Sequence, residues 1–121
     1  MAQANEIEAA GVAAGAARLL GQTTPNTGLS GAGTTQADAT ALTTGSFNEF
    51  STVGANSGAV LPSATGSAIV AIYNGGANAL KVYAASGEYM NGTQNGYLSV
   101  TNGKSAIFIP SGLRWIGNLS A

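Results

Sequence analysis

SAIVAIYNGGANALKVYA, residues 67–84, holds two β-strand patterns on either side of a turn signal. Ser67–Tyr73 is an unbroken apolar run of strand length, the pattern of a central strand buried on both faces. Asn74-Gly75-Gly76 follows, and Asn and Gly tolerate the positive φ that a tight hairpin turn requires. Leu80–Ala84 then alternates, with Leu80, Val82 and Ala84 facing inward and Lys81 and Tyr83 outward. The same signals continue on both sides. Upstream, Phe47, Glu49 and Ser51 alternate with Asn48, Phe50 and Thr52, and Ala59–Leu61 runs into Pro62. Downstream, Glu88–Met90 precedes Asn91-Gly92, Tyr97–Val100 and Ser105–Ile109 flank the turn candidate Asn102-Gly103, and Leu113–Ile116 closes the series. About seven or eight short strands at even spacing predict an all-β fold, a small antiparallel β-sandwich or barrel. Phe47, Phe50, Tyr83 and Trp115 are its candidate core or interface anchors.

Composition changes sharply before Phe47. Residues 1–20 are Ala-rich, with Glu6 and Glu8 early and Arg18 late. That polarity suits a helix dipole, and Ala is the best helix former. A short helix over 4–20 or a flexible terminus is expected. Residues 21–46 are Thr, Gly, Ala and Ser with few large side chains, too little apolar area to offset the entropy of ordering them. An N-terminal arm over 1–46 and a β-domain over 47–121 follow. Within 36–46, Ala37, Ala39 and Ala41 alternate with Asp38, Thr40 and Leu42, which allows one further strand. Ile7, Leu19, Leu20 and Leu29 are the side chains of the arm able to anchor on a partner's groove.

Only nine of 121 residues are charged, 7%, and the chain has neither His nor Cys; an ordinary domain is about 25% charged. Nucleophilic serine has no imidazole base here, and no Ser-x-x-Lys spacing replaces it, since Asn78 and Thr101 stand three residues before Lys81 and Lys104. Disulfides and Cys/His metal sites are excluded outright. Glu49 and Glu88 are the only acids after residue 46. They read as solvated strand residues that discourage edge pairing. Asp38 stands alone, too few acids for calcium. GLSGAG, residues 28–33, lacks the Lys-Ser/Thr of a phosphate loop. No catalytic residue, cofactor or metal is expected, and the chain reads as no enzyme.

The net charge is −1, and Arg18, Lys81, Lys104 and Arg114 are scattered singly, which argues against nucleic acid as a partner. Ile7–Leu20, interrupted by Arg18, is too short to span a bilayer. Acids rather than bases precede that run, so a secretory leader is not expected and synthesis is placed in the cytoplasm. Tyr73, Tyr83, Tyr89, Tyr97 and Trp115 suit sugar stacking in principle, but in a chain short of large residues they suit a core or subunit interface better.

From Gly28 the order of motifs is GLSGAGTTQADATAL, then Leu61-Pro62, then the Ile69–Asn74 strand with Gly75-Gly76-Ala77-Asn78-Ala79. Leu80-Lys81-Val82-Tyr83, Gly87-Glu88-Tyr89-Met90-Asn91-Gly92 and Leu113-Arg114-Trp115 come after them. This order resembles the small head decoration proteins (cement or head-fibre proteins) of tailed bacteriophages. The resemblance runs from Gly28 to Trp115 and leaves out the first 20 residues. It implies a homotrimer on the capsid exterior, seated at three-fold positions and clamping the major capsid protein, with no catalytic residues, nucleic acid or membrane involved. A small β-domain without staples gains core by oligomerising, which fits that expectation. The alternative expectation is a carbohydrate- or receptor-binding β-module displayed on a virion. A solvent-facing row of coplanar tyrosine rings favours the second, and burial of the rings the first.

Overall fold

The structure, a computed structural model, describes residues 25–42 and 47–120. The helix expected over 4–20 lies outside the described residues, as do Ile7, Leu19 and Leu20. The described residues form eleven strands and no helix: β1 (Asn26–Ser30), β2 (Thr40–Ala41), β3 (Phe47–Thr52), β4 (Gly58–Val60), β5 (Val70–Asn74), β6 (Leu80–Tyr83), β7 (Tyr89–Met90), β8 (Thr93–Gln94), β9 (Tyr97–Val100), β10 (Ser105–Ser111) and β11 (Arg114–Leu119).

The all-β class is correct, but the architecture differs from the expected antiparallel sandwich or barrel. The large sheet has the order β1-β3-β5-β10-β11-β7-β8 and the small sheet β2-β4-β6-β9. Successive strands from β1 to β6 alternate between the sheets, and their neighbours run parallel: β1 with β3 with β5, and β2 with β4 with β6. The chain therefore winds like a short solenoid. It then reverses, as β9 pairs antiparallel with β6 and β10 with β5.

Turn chemistry explains the difference. Asn74-Gly75-Gly76 does turn the chain, yet β5 and β6 lie in different sheets, so it is a corner and not a hairpin. Asn74 is wholly buried there, and its Oδ1 accepts from the Gly76 N–H at 2.8 Å. A Cβ on Gly76 would come within 2.6 Å of the Val53 nitrogen, so only glycine fits this corner. Asn102-Gly103 is likewise a corner between β9 and β10. True hairpins form at Asn91-Gly92, where both residues have positive φ, and at Gly112-Leu113.

The boundary expected at residue 46 is also corrected, because residues 26–42 belong to the sheets. Leu29 packs against the core, half-buried, opposite Phe50. The Gly31 N–H donates to the Thr52 carbonyl at 2.9 Å, the Leu42 N–H to the Val60 carbonyl at 3.0 Å, and Gln36 Nε2 to the Ala84 carbonyl at 2.7 Å. Backbone ladders, the Gln36 side chain and the packing of Leu29 and Leu42 on the core together order this segment.

The core lies between the two sheets. Phe50, Val70, Ile72, Phe108 and Trp115 project from the large sheet and Ala59, Leu80, Val82 and Val100 from the small one, all at 0% exposure. Gly117 shows how closely the layers approach: a Cβ there would lie 2.9 Å from both the Leu98 side chain and the Phe108 ring. Trp115 Nε1 donates to the Pro62 carbonyl at 3.0 Å, satisfying the one polar atom of the largest core residue. β5 is held on both edges, with Val70 and Ile72 in the core and the small Ala71 on the outer face, shielded by its neighbours and not covered by a second layer among the described residues.

Candidate assembly surface and polar cleft

The outer face of the large sheet is apolar where it should be polar. In β10, Ala106 and Phe108 point into the core, so Ile107 and Ile109 point away from it, 43% and 41% exposed. Ile109 pairs with Ile116 of β11, itself 40% exposed. Ile107 pairs across β5 with Ala71, which pairs in turn with Phe47 of β3. Phe47 is half-buried on this same outer face, while Phe50 faces the core at 0% exposure. Phe47, Ala71, Ile107, Ile109 and Ile116 thus form one patch across four neighbouring strands, with no second layer over it among the described residues. Scattered exposed apolar residues are ordinary, but a contiguous set is not.

Beside this patch the sheet carries a polar row. Ser111 pairs with Arg114, Arg114 with Tyr89, and Tyr89 with Gln94. Trp115 and Met90, the neighbours in sequence, are buried, so Arg114 and Tyr89 face outward. Tyr89, Gly92, Ser111, Leu113 and Arg114 line a cleft of about 400 Å³. The cleft walls are fixed. The Tyr89 N–H donates to the Leu113 carbonyl at 3.1 Å and the Asn91 N–H to the Trp115 carbonyl at 3.0 Å. Asn91 Oδ1 also accepts from the Gly117 N–H at 2.9 Å.

Glu88 departs from its expected role. It is 6% exposed, and its carboxylate accepts from Ser63 Oγ at 2.6 Å and the Ala64 N–H at 2.8 Å. It is a buried cross-link between the 62–69 connection and β7, not a solvated strand residue. Glu49 stands half-buried on the outer face of β3, opposite Tyr73. Asp38 closes an exposed turn: its Oδ1 accepts from the Thr35 N–H at 2.9 Å, Thr35 Oγ1 at 2.8 Å and the Thr34 N–H at 3.2 Å. The backbone hydrogen bond from Thr35 is the main cause that holds this carboxyl below its ordinary value.

The tyrosines form no coplanar row. Tyr83 is buried on the outer face of the small sheet, its ring packed 5.3 Å from that of Tyr97 at 58° and close over Gly58. Lys81 Nζ sits 5.3 Å above the Tyr97 ring. Tyr89 stands apart from them, in the polar row of the large sheet. Of the residues singled out from sequence, Phe50 and Trp115 are core, Tyr83 and Phe47 lie on opposite outer faces, and Leu29 is packed inward instead of being offered to a partner. Ile107, Ile109 and Ile116 were not singled out, although their signal was present: SAIFIPS is apolar in both phases of its alternation. No family model, curated protein or solved structure matches this chain.

Proposed function

We propose that this chain is a structural virion protein that assembles as a homotrimer on the outer surface of a phage capsid and stabilises the head. The observation that carries the reading is the uncovered patch of Phe47, Ile107, Ile109 and Ile116 on a chain with only nine charges. Such a surface gains by being covered, and burial of apolar area yields about 25 cal/mol per Å². The occupant we assign to it is a second copy of the chain. The patch is uncharged and flanked by one acid, Glu49, and one base, Arg114, so copies meet without net repulsion, and two different parts of the patch meeting head to tail close into a ring about a three-fold axis. Residues 1–24, with Ile7, Leu19 and Leu20, are assigned to the major capsid protein, and many copies on one particle then add avidity. The resemblance of the motif order to head decoration proteins supports the same reading.

Sedimentation velocity and particle binding test it. The wild-type chain should sediment as a trimer, and the Ile107→Lys/Ile109→Lys variant as a folded monomer with an unchanged circular dichroism spectrum. Undecorated phage capsids from the source of this chain should bind the wild type in stoichiometric amounts. A wild-type monomer both in solution and on particles, or a trimer that survives the double substitution, would overturn the assignment.

A further inference from the structure

We infer that the cleft between Tyr89 and Arg114 binds an oligosaccharide bearing a carboxylate. Four side chains of different chemistry are brought into line by strand register alone: the Ser111 hydroxyl, the Arg114 guanidinium, the Tyr89 phenol ring and the Gln94 amide. They occupy four adjacent strands on one face, a row about 14 Å across at the usual strand spacing. All four are exposed.

The charge at this row is uncompensated. Arg114 makes no side-chain hydrogen bond or ion pair among the described residues, and the acid nearest in sequence to Tyr89, Glu88, is turned inward onto Ser63 and Ala64. A planar guanidinium left open in this way accepts a carboxylate in two parallel hydrogen bonds. The exposed ring of Tyr89 beside it presents a π-face whose negative charge attracts the polarised C–H groups of a pyranose. Ser111 at one end supplies a hydroxyl, and at the other Gln94, whose Nε2 donates to the Gly87 carbonyl at 3.3 Å, offers its Oε1 to sugar hydroxyls. One cation flanked by neutral polar groups fits a single carboxylate on a polyhydroxylated chain; a nucleic-acid backbone would need several cations in a row. The volume of about 400 Å³ accommodates a few sugar units.

The site is also preorganised. Asn91-Gly92 sets the β7–β8 hairpin, and the hydrogen bonds from β7 to Leu113 and Trp115 hold Tyr89 against Arg114. Ligand binding therefore costs little ordering of the protein. The assignment does not depend on capsid attachment, since every group belongs to one copy of the chain.

Titration of the full-length protein with trigalacturonate and 3′-sialyllactose, followed by amide NMR shifts, tests the inference, with maltotriose and lactose as neutral controls. At least one acidic probe should bind saturably, moving the amides of Tyr89, Gly92, Leu113 and Arg114, while the neutral probes should not. Arg114→Gln and Tyr89→Ala should each weaken binding at least tenfold with an unchanged circular dichroism spectrum. Arg114→Lys, which keeps the charge and loses the fork, should fall between. No binding by either acidic probe, equal binding by the neutral sugars, or affinity indifferent to Arg114 would overturn it. So would equal displacement by sulfate with no loss in Tyr89→Ala, which would mark a bare anion site.

Discussion

Asn74→Ala is the substitution that tests the corner on which the winding depends. Asn74 ends β5 and is wholly buried. Its Nδ2 donates to the Asn78 carbonyl at 2.8 Å and the Val100 carbonyl at 2.7 Å, and its Oδ1 accepts from the Gly76 N–H at 2.8 Å. Its backbone completes the junction, donating to the Lys104 carbonyl at 3.0 Å and accepting from the Gly103 N–H at 2.8 Å. One side chain thus joins the 74–78 corner to the end of β9. Alanine removes its three hydrogen bonds, worth about 1 kcal/mol each, and the groups left buried without partners raise the cost to about 4 kcal/mol. For a body of this size that corresponds to a fall in melting temperature of about 15–25 °C.

Asn74→Asp separates hydrogen bonding from shape. At neutral pH it aims a carboxylate at two carbonyl oxygens, so its folded-state pKa must rise above the unfolded value of about 3.9. The protonated form is the one that suits the fold. The variant should therefore come closest to wild type at low pH and lose stability as the pH rises through the raised folded value. Thermal unfolding by circular dichroism, at one fixed protein concentration and referred to wild type at each pH, reads both effects. An Asn74→Ala melting temperature within 3 °C of wild type, a margin of about 0.5 kcal/mol, refutes the reasoning. So does an Asp variant whose deficit shrinks as pH rises.

Other substitutions read other parts of the fold. Trp115→Ala should cost about 3–5 kcal/mol through the cavity it leaves, and Trp115→Phe about 1–2 kcal/mol because the Pro62 carbonyl loses its donor; a Phe variant as stable as wild type would mean the indole N–H bond contributes nothing. Glu88→Gln should cost about 1–3 kcal/mol, the scale of charge-assisted hydrogen bonds from Ser63 and Ala64, whereas Glu49→Gln should stay within about 0.5 kcal/mol; chemical denaturation measures both. Deleting residues 1–24 should leave a cooperatively folded two-sheet body. Deleting 1–46 removes β1 and β2, uncovers Phe50 and Ala59, and should abolish cooperative unfolding, which calorimetry would register.

Strand positions and their inward sets were legible in the sequence, because alternation depends only on local pattern. Leu80, Val82 and Ala84 are buried as expected, and Trp115 is in the core. Which strands pair was not legible. Asn-Gly chemistry dictates positive φ, not whether the next strand returns beside the last, so the same signal makes a hairpin at Asn91-Gly92 and a corner at Asn102-Gly103. β2 falls in the 36–46 stretch whose alternation allowed one further strand, whereas β1 was hidden for another reason: its order comes from parallel backbone pairing, which leaves little mark on the side chains. The burial of Glu88 depends on Ser63 and Ala64, far away in sequence. Within the polar row, Tyr89 was read only as a candidate aromatic and Arg114 only as a scattered charge, since register across β10, β11, β7 and β8 is what unites them.

How the sheet edges are finished decides how copies can meet. A parallel winding invites strand addition at its first coil, a route to open filaments. β1 is a poor template for it. Its pairing with β3 shifts register between Asn26 and Leu29 and again between Leu29 and Ser30, and Gly28 sits at a φ of 70°. β2 and β8 are two residues each, and β9, the remaining edge, has four. Backbone addition is thus blunted on all four edges among the described residues, by irregularity or by shortness. Face-to-face contact through side chains is left, and the outer face of the large sheet has the side chains for it. Ile107, Ile109 and Ile116 occupy β10 and β11, while Arg114 stands at the start of β11 and Glu49 on β3, an apolar centre flanked by polar groups. That is the anatomy of an interface that excludes water at its middle. Self-association as proposed would therefore run through side chains of this bounded patch and not through an extended backbone ladder.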